Sequence, residues 1–196
     1  MNIEKPFSQA CENNKSHILE VLKNTFRKST HVLEIGSGTG QHAVHFAASL
    51  PHLIWQCADQ LEYHPGIRQW IQEYPSKNIL APIELKVPES TWPEQAFDAF
   101  FSANTAHIMQ ANEVKSLMEM IQMRLPKHGV FSQYGPFKVD GQFSSQSNAD
   151  FHEKLVETGR GGYRDIAELQ SWAPNLSLSE VVEMPANNLM LIWHRK

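Results

Sequence analysis

The stretch Glu34-Ile-Gly-Ser-Gly-Thr-Gly40 decides the fold, because three glycines alternate with other residues behind an acidic one. It follows the short apolar run His31–Ile35, which is typical of a strand, and it opens a helical pattern over residues 41–49. A chain that reverses within so few residues needs φ angles that glycine adopts at low cost. A helix that begins near Gly40 also presents unpaired N–H groups to a polar or negative ligand group. The stretch therefore predicts a strand, a ligand-binding turn and a helix in succession.

Outside this stretch, short apolar runs alternate with amphipathic segments along the chain. We predict helices over residues 14–27, 41–49, from Pro65 onward, 113–125, 149–157 and 165–172, the last capped by Asp165. We predict strands over residues 31–35, 53–58, 79–87, 97–103, 130–134, 176–184 and 189–194. Five of these strands alternate with helices, which is typical of a mostly parallel sheet with both faces covered.

Two features refine this sheet. Pro82 in the third strand indicates an edge position or a bulge, since proline cannot donate to a neighbouring strand. The last two strands are joined by Pro185-Ala-Asn-Asn188, a connection short enough for a hairpin. We therefore expect a three-layer, Rossmann-like α/β fold whose seven-stranded sheet is mostly parallel and gains one antiparallel strand from the C-terminal hairpin.

Composition limits the classes of protein to consider. The chain has 196 residues, of which 41% are hydrophobic and 19% charged, and its net charge is −4. This length suits one domain, which we expect to cover residues 1–196 and to include residues 1–28 as an N-terminal helical cap. The negative net charge offers no basic face, so we expect no nucleic-acid partner.

Location and redox state are also constrained. Asp98 interrupts the longest apolar candidate, Ala96 to Met109, so we expect no membrane span. The N-terminal residues lack the apolar core of a signal peptide. Cys11 and Cys57 form neither a disulfide framework nor a metal-binding knuckle. We therefore expect a cytoplasmic protein without a membrane partner, and the sequence does not predict its oligomeric state.

Three ligand classes use glycine turns of this kind. A phosphate-binding P-loop would continue with Gly-Lys-Ser/Thr, whereas Gln41 and His42 follow here. A dinucleotide fingerprint, Gly-x-Gly-x-x-Gly, would need glycine at position 41, which disfavours a nicotinamide-dependent oxidoreductase. The pattern resembles the first motif of class I S-adenosylmethionine (SAM) dependent methyltransferases. That resemblance implies that the turn binds the methionine and ribose portions of SAM, with a cofactor-binding set of Glu34, Gly36, Ser37, Gly38, Gly40, Asp59 and Asn104.

Asp59 supports the same interpretation. It lies 23 residues after Gly36, at the predicted end of the second strand. A carboxylate in that place can accept hydrogen bonds from both hydroxyls of a ribose. Glu62, one turn later, is the alternative acceptor, and the simpler alternative for Asp59 is that it caps the following loop.

A closer resemblance extends over nearly the whole chain. It is carried by the segments Glu12–Lys15, Glu34–Phe46, Tyr134–Phe137, Ser147–Asn148 and Met184–Asn188. These look like the methyltransferase-like 26 family, whose bacterial and animal members are grouped as SAM-dependent methyltransferases with an unknown substrate. Two positions depart from the pattern. Lys86 stands where an acidic residue often contacts the adenine amine, and Asn13 stands where the family usually has arginine. A lysine cannot accept that hydrogen bond, which leaves open whether adenine binding is weaker.

The loops at the carboxyl ends of the strands supply candidates for chemistry, because ligands of parallel sheets sit there. Methyl transfer from a sulfonium is an in-line displacement that depends on positioning and on exclusion of water. His107 is the candidate base, since its ordinary pKa is near neutrality. Tyr134 is expected to orient the acceptor and Asn104 to position an amine. The simpler alternatives are that His107 lies at the start of a helix and hydrogen-bonds to the backbone, and that Tyr134 is a packing residue.

The expected substrate pocket adds residues from both ends of the chain, namely Asn13, Asn14, Tyr134, Asn187 and Asn188. Turn chemistry explains the last two equally well, and Asn148 is expected to cap a helix. His42 and His45 lie on one helix face, but no third ligand is recognisable, so we expect no metal. The sequence thus predicts a SAM-dependent methyltransferase acting on a small molecule. The alternative is a non-catalytic SAM-binding or interaction module.

Overall fold

A mixed sheet forms the centre of the computed structural model, which describes residues 4–196. Its strands are β1 (His31–Ile35), β2 (Ile54–Asp59), β3 (Ile79–Glu84), β4 (Ala99–Ala103), β5 (Val130–Gly135), β6 (Leu176–Met184) and β7 (Asn188–Arg195). Their spatial order is β3-β2-β1-β4-β5-β7-β6, and β7 runs antiparallel to both of its neighbours while the pairs among β1 to β5 are parallel. The predicted fold class is confirmed. Residues 1–3 of the expected domain lie outside the described residues.

Helices cover both faces of the sheet. They are α1 (Gln9–Thr25), α2 (Gln41–Ser49), α3 (His64–Glu73), α4 (Ala111–Arg124), α5 (Gln146–Glu157) and α6 (Ile166–Trp172), with a short 3-10 helix at Leu61–Tyr63. The first three pack on one face around Phe46 and Trp55, and α4 and α6 pack on the other around Phe131 and Trp193. Among residues 4–196, no helix combines the length and the apolar character that crossing a membrane requires.

Two helices begin earlier than their hydrophobic periodicity predicts, because polar caps start them. Ser8 accepts a hydrogen bond from the Cys11 N–H at 3.3 Å, and Ser145 accepts one from the Asn148 N–H at 3.2 Å. The first turns of both helices are polar, so no apolar pattern marks them. The prediction that Asn148 caps a helix is wrong. Asn148 lies inside α5, and its side-chain amide donates to the carbonyl of Asn187 at 3.2 Å.

Pro82 lies on an edge strand, as predicted. β3 pairs with β2 alone, and the register between them shifts between Gln56 and Ala58, opposite Pro82. β3 ends at Glu84 rather than at Val87, although the Leu85 N–H still donates to the Asp59 carbonyl at 2.9 Å. Asp165 caps α6 as predicted and forms a capping box with Glu168.

β1 buries a carboxyl group inside the layer that α1 and α2 cover. Glu34 is 2% exposed, and its carboxyl group accepts a hydrogen bond from the Trp55 indole N–H at 3.0 Å. Burial raises the pKa of Glu34 to about 7, although the hydrogen bonds from Trp55 and Ser37 oppose this shift. Folding therefore favours the protonated form of Glu34.

Replacing Glu34 with glutamine is expected to change the pH dependence of stability. Because the ordinary pKa is 4.5 and the folded value about 7, the native state holds more protons between them. The stability that protonation of Glu34 contributes is thus present below pH 4.5 and is lost as the pH rises through 7. The full change corresponds to about 3 kcal/mol in the free energy of unfolding.

Urea unfolding at pH 5 and pH 8 measures this effect. We expect Glu34→Gln to gain stability over the wild type at pH 8 relative to pH 5, since glutamine carries no charge to bury. Glu180→Gln, at an exposed position on β6, is the control and should show the same difference at both pH values. An equal difference for Glu34→Gln at the two pH values would contradict the assignment of this group.

Candidate active site at the carboxyl edge of the sheet

The strand order reverses between β1 and β4, and a cavity of about 660 Å³ opens beyond their carboxyl ends. Its wall is built by the glycine turn, the start of α1, the turn after β4, the end of β5, α5, and the hairpin between β6 and β7. Most of the predicted site residues line this cavity, namely Asn13, Asn14, Gly36, Ser37, Gly38, Asn104, His107, Tyr134 and Asn188. Glu34, Gly40, Asp59 and Asn187 are not among its lining residues.

The glycines of the turn serve different needs. Gly36 has φ +77°, and a Cβ there would lie 2.7 Å from Oγ1 of Thr105, so a side chain would collide with the turn after β4. Gly38 has φ +55°, and a Cβ there would meet nothing within 4 Å. Since Gly38 lines the cavity, the missing side chain leaves backbone accessible to a ligand. Gly40 stands at the N-terminal cap of α2, as predicted.

Asp59 contacts the glycine turn and is not among the residues that line the cavity. One carboxylate oxygen accepts the Gly38 N–H and the other accepts the Gln60 N–H, each at 2.7 Å. Burial raises the pKa of Asp59, and these backbone hydrogen bonds oppose the shift. Two carboxylate oxygens have about four acceptor sites, so Asp59 keeps capacity for hydroxyl donors. The alternative acceptor, Glu62, lies exposed in the 3-10 helix.

A polar cluster joins α1, α2 and β5 at one wall of the cavity. Oδ1 of Asn14 lies 2.7 Å from Nε2 of His42, and the Asn14 side chain also hydrogen-bonds to Tyr134. Burial lowers the pKa of His42 to about 4 and raises that of Tyr134, so both groups are neutral at pH 7. The sequence predicted a surface or packing role for His42 rather than a metal site. Within the described residues, no group of three candidate ligands could hold a metal ion.

Gln41, the first residue of α2, fixes the start of α1 over this wall. Its Oε1 atom accepts the Ser8 N–H at 2.6 Å, and its Nε2 atom donates to Oε1 of Glu12 at 2.7 Å. The indole N–H of Trp70 on α3 donates to the Pro6 carbonyl at 2.7 Å. The segment that precedes α1 is therefore attached to both α2 and α3.

His107 and Asn104 lie in the turn after β4. The His107 ring is 7% exposed and contacts the rings of Phe151 and Tyr163, with centroids 6.2 and 6.1 Å away. Burial lowers the pKa of His107 to about 4, and the positive charge of Arg160 adds to this shift. Asn104 has φ +56°, and its N–H donates to the Tyr134 carbonyl at 2.9 Å. The imidazole of His107 is thus neutral at pH 7 and is a weaker base than an ordinary histidine.

The predicted substrate residues divide into two groups. Asn14, Tyr134 and Asn188 line the cavity from buried or half-buried positions. Asn13 also lines it, but its side chain is exposed and accepts a hydrogen bond from Gln9 at 2.9 Å. Ala186 and Asn187 have φ +58° and +56°, which is the geometry of a tight hairpin turn. For Asn187, the turn alternative is the one that the backbone supports.

Among the lining residues that the sequence did not predict as site residues are Cys11, Phe151, Arg160 and Tyr163. Phe151 comes from α5, and Arg160 and Tyr163 come from the loop that follows it. The stretch Gly159-Arg-Gly-Gly162 is the signal that could have indicated this loop, since three glycines around one arginine demand an unusual backbone.

Solved structures share this fold at low sequence identity. An O-methyltransferase family 2 protein from Planctomyces limnophilus, in complex with apigenin, matches with a TM-score of 0.82 and 14% identity over 95% of this chain and 58% of that one. An O-methyltransferase family protein from Burkholderia thailandensis matches at 0.80 and 15%, over 93% and 56%. Human N-acetylserotonin methyltransferase, in complex with SAM, matches at 0.73 and 13%, over 92% and 54%.

These likenesses show that the fold is that of class I SAM-dependent methyltransferases. The chain spans a little over half the length of those proteins. A family model described as "Protein of unknown function (DUF938)" matches residues 5–195. Since this match covers nearly all of the sequence, the chain belongs to the DUF938 family.

Proposed function

We propose that this protein is a SAM-dependent methyltransferase that acts on a small molecule, and that it is a relative of the methyltransferase-like 26 proteins. One observation carries the proposal. The backbone of the glycine turn and the side chains of Asn104, His107 and Tyr134 face one cavity, at the place where the strand order reverses. Its volume, about 660 Å³, lies within the range of small-molecule sites.

The residues present suit the cofactor. The open side of Gly38 admits a ligand against the backbone, and Asp59 holds that backbone in place while retaining acceptor capacity. Lys86, the departure from the family pattern, does not line the cavity, and its ammonium group pairs with Glu89 at 2.8 Å. In this proposal Glu34 acts on the cofactor only through the turn, because it is buried behind it.

When bound, SAM supplies a methyl group on a positively charged sulfur. In our proposal, the turn from Gly36 to Gly38 holds the amino-acid portion, and Asp59 accepts from the ribose. Asn104 and Tyr134 orient the acceptor, and His107, although its lowered pKa makes it a weak base, is the group that accepts a proton where the acceptor must lose one. The surrounding wall of α1, α5 and the hairpin reduces the contact of bound ligands with water, which strengthens each of these polar contacts.

Gly38→Ala is expected to weaken the binding of SAM and of S-adenosylhomocysteine (SAH) at least tenfold, because the added methyl enters the space that the ligand needs. Gly141→Ala is the matched control. Gly141 also has positive φ, +76° against +55°, and a Cβ at either position meets nothing within 4 Å, but Gly141 does not line the cavity. Both variants lose about 1–2 kcal/mol of stability because alanine disfavours positive φ, but only Gly38→Ala places its methyl group at the cavity.

Isothermal titration calorimetry of the wild type and both variants tests this expectation. Binding by Gly141→Ala should stay within twofold of the wild type. Wild-type protein that binds neither SAM nor SAH at millimolar concentration would contradict the proposed function. Equal loss in both variants would contradict the placement of the ligand at the glycine turn.

Asp59→Ala is expected to reduce SAH affinity at least tenfold, whereas Glu62→Ala should leave it within twofold. The 2′,3′-dideoxy analogue of SAH separates ribose binding from support of the turn. The wild type should bind the analogue more weakly than SAH, and Asp59→Ala should bind the two ligands equally. If the variant still discriminates between them, Asp59 does not bind the ribose and serves only the Gly38 N–H.

A further inference from the structure

The loop after α5 is fastened to the turn that carries His107. A Cβ at Gly161 would lie 1.8 Å from the carbonyl oxygen of Met109, so no side chain fits between these two backbones. The Gly162 N–H donates to the His107 carbonyl at 3.1 Å, and the Gly161 N–H donates to the Ile108 carbonyl at 3.4 Å. The glycines thus allow a close approach that holds Arg160 at the wall of the cavity beside His107.

Arg160 dominates the charge of this cavity. Among the described residues that line it, Arg160 is the sole Lys, Arg, Asp or Glu side chain. Across residues 4–196, no ion pair or hydrogen bond engages the guanidinium group of Arg160. The nearby imidazole of His107 is neutral, so it neither repels nor neutralises a ligand charge. Arg160 is exposed at the wall of the cavity, and an arginine there without an anionic partner suits a planar anion bound in bidentate fashion.

Aromatic rings border the same part of the cavity. Phe151 is 44% exposed, and its ring lies 6.3 Å from that of Tyr163 and 6.2 Å from that of His107. Tyr163 is buried, whereas the half-exposed ring of Phe151 offers apolar surface to the cavity that it lines. Such a surface suits a flat, apolar body next to the anionic group.

The structure assigns the methyl acceptor to the class of carboxylic acids with a planar apolar body, with Arg160 as the residue that binds the carboxylate; this assignment rests on the proposed function. An amine acceptor would lack a counter-charge, because no Asp or Glu side chain lines the described cavity. Arg160 would act as a specificity-determining residue, and the aromatic cluster of His107, Phe151 and Tyr163 would hold the body of the acid.

A carboxylate also suits the chemistry of the site. It is ionised at neutral pH and needs no base before it attacks. One carboxylate oxygen forms the new bond to the methyl carbon while the bond from that carbon to the SAM sulfur breaks. The electron pair of the broken bond stays on sulfur, which leaves neutral SAH and a methyl ester, and no proton is released. The neutral state of His107 and the raised pKa of Tyr163, about 12, agree with a site that lacks a strong base.

Ligand-observed NMR on the full chain saturated with SAH tests this assignment. The probes are benzoate and phenylacetate, matched with benzamide, benzyl alcohol and benzylamine. We expect both acids to bind at least fivefold more tightly than each matched compound. Arg160→Gln should weaken acid binding at least tenfold and leave the dissociation constant of SAH within twofold. Arg68→Gln, exposed on α3 and outside the cavity lining, is the matched control and should bind the acids as the wild type does.

Each outcome decides between the two levels of the proposal. Three results would overturn the acceptor class: equal binding of acids and neutral compounds, binding of neither, or acid binding that survives Arg160→Gln. In each case, binding of SAH would still support the methyltransferase proposal. Failure of the wild type to bind SAH would remove both. With SAM in place of SAH, mass spectrometry should detect the methyl ester of the acid that binds best. Acid binding without ester formation would overturn transfer to the carboxylate.

Discussion

The reversal of the chain between β1 and α2 is the constraint on which the rest of the structure depends. The N–H groups of Gly36 and Ser37 both donate to the Ala58 carbonyl, at 2.9 and 3.2 Å, and Asp59 accepts the next free N–H from Gly38. The end of β2 therefore satisfies the turn that follows β1, which leaves one side of the turn open. Buried backbone groups require such partners, so the two strand ends and the turn form one unit.

Features that are local in the chain were predictable from the sequence. The apolar runs, the glycine turn and the capping box at Asp165 each depend on neighbours within a few residues. The place of Pro82 on an edge strand was predictable for the same reason, because the missing N–H is a local property. The mostly parallel pairing followed from the alternation with helices, but the sequence did not predict the order of the strands.

The outer wall of the cavity was not predictable, because it depends on contacts between distant segments. Arg160 and Phe151 lie at the site because Gly161 packs against Met109, which is about fifty residues earlier in the chain. The ordinary pKa of histidine suggested that His107 titrates near neutrality, whereas burial against Phe151 and Tyr163 lowers it to about 4. A periodic pattern carries no information about such desolvation.

The attachment of the N-terminal segment has a consequence for how small molecules reach the cavity. Gln41 ties the first turn of α1 to the helix that the glycine turn opens, and Trp70 holds Pro6 against α3. This side of the enclosure cannot swing outward without breaking these hydrogen bonds. On the opposite side, α5 and its cap are joined to the hairpin by two side-chain hydrogen bonds, from Asn148 to the Asn187 carbonyl and from Asn187 to Oγ of Ser145. Opening the cavity at α5 would thus break these two side-chain hydrogen bonds, whereas opening it at α1 would break those of both Gln41 and Trp70.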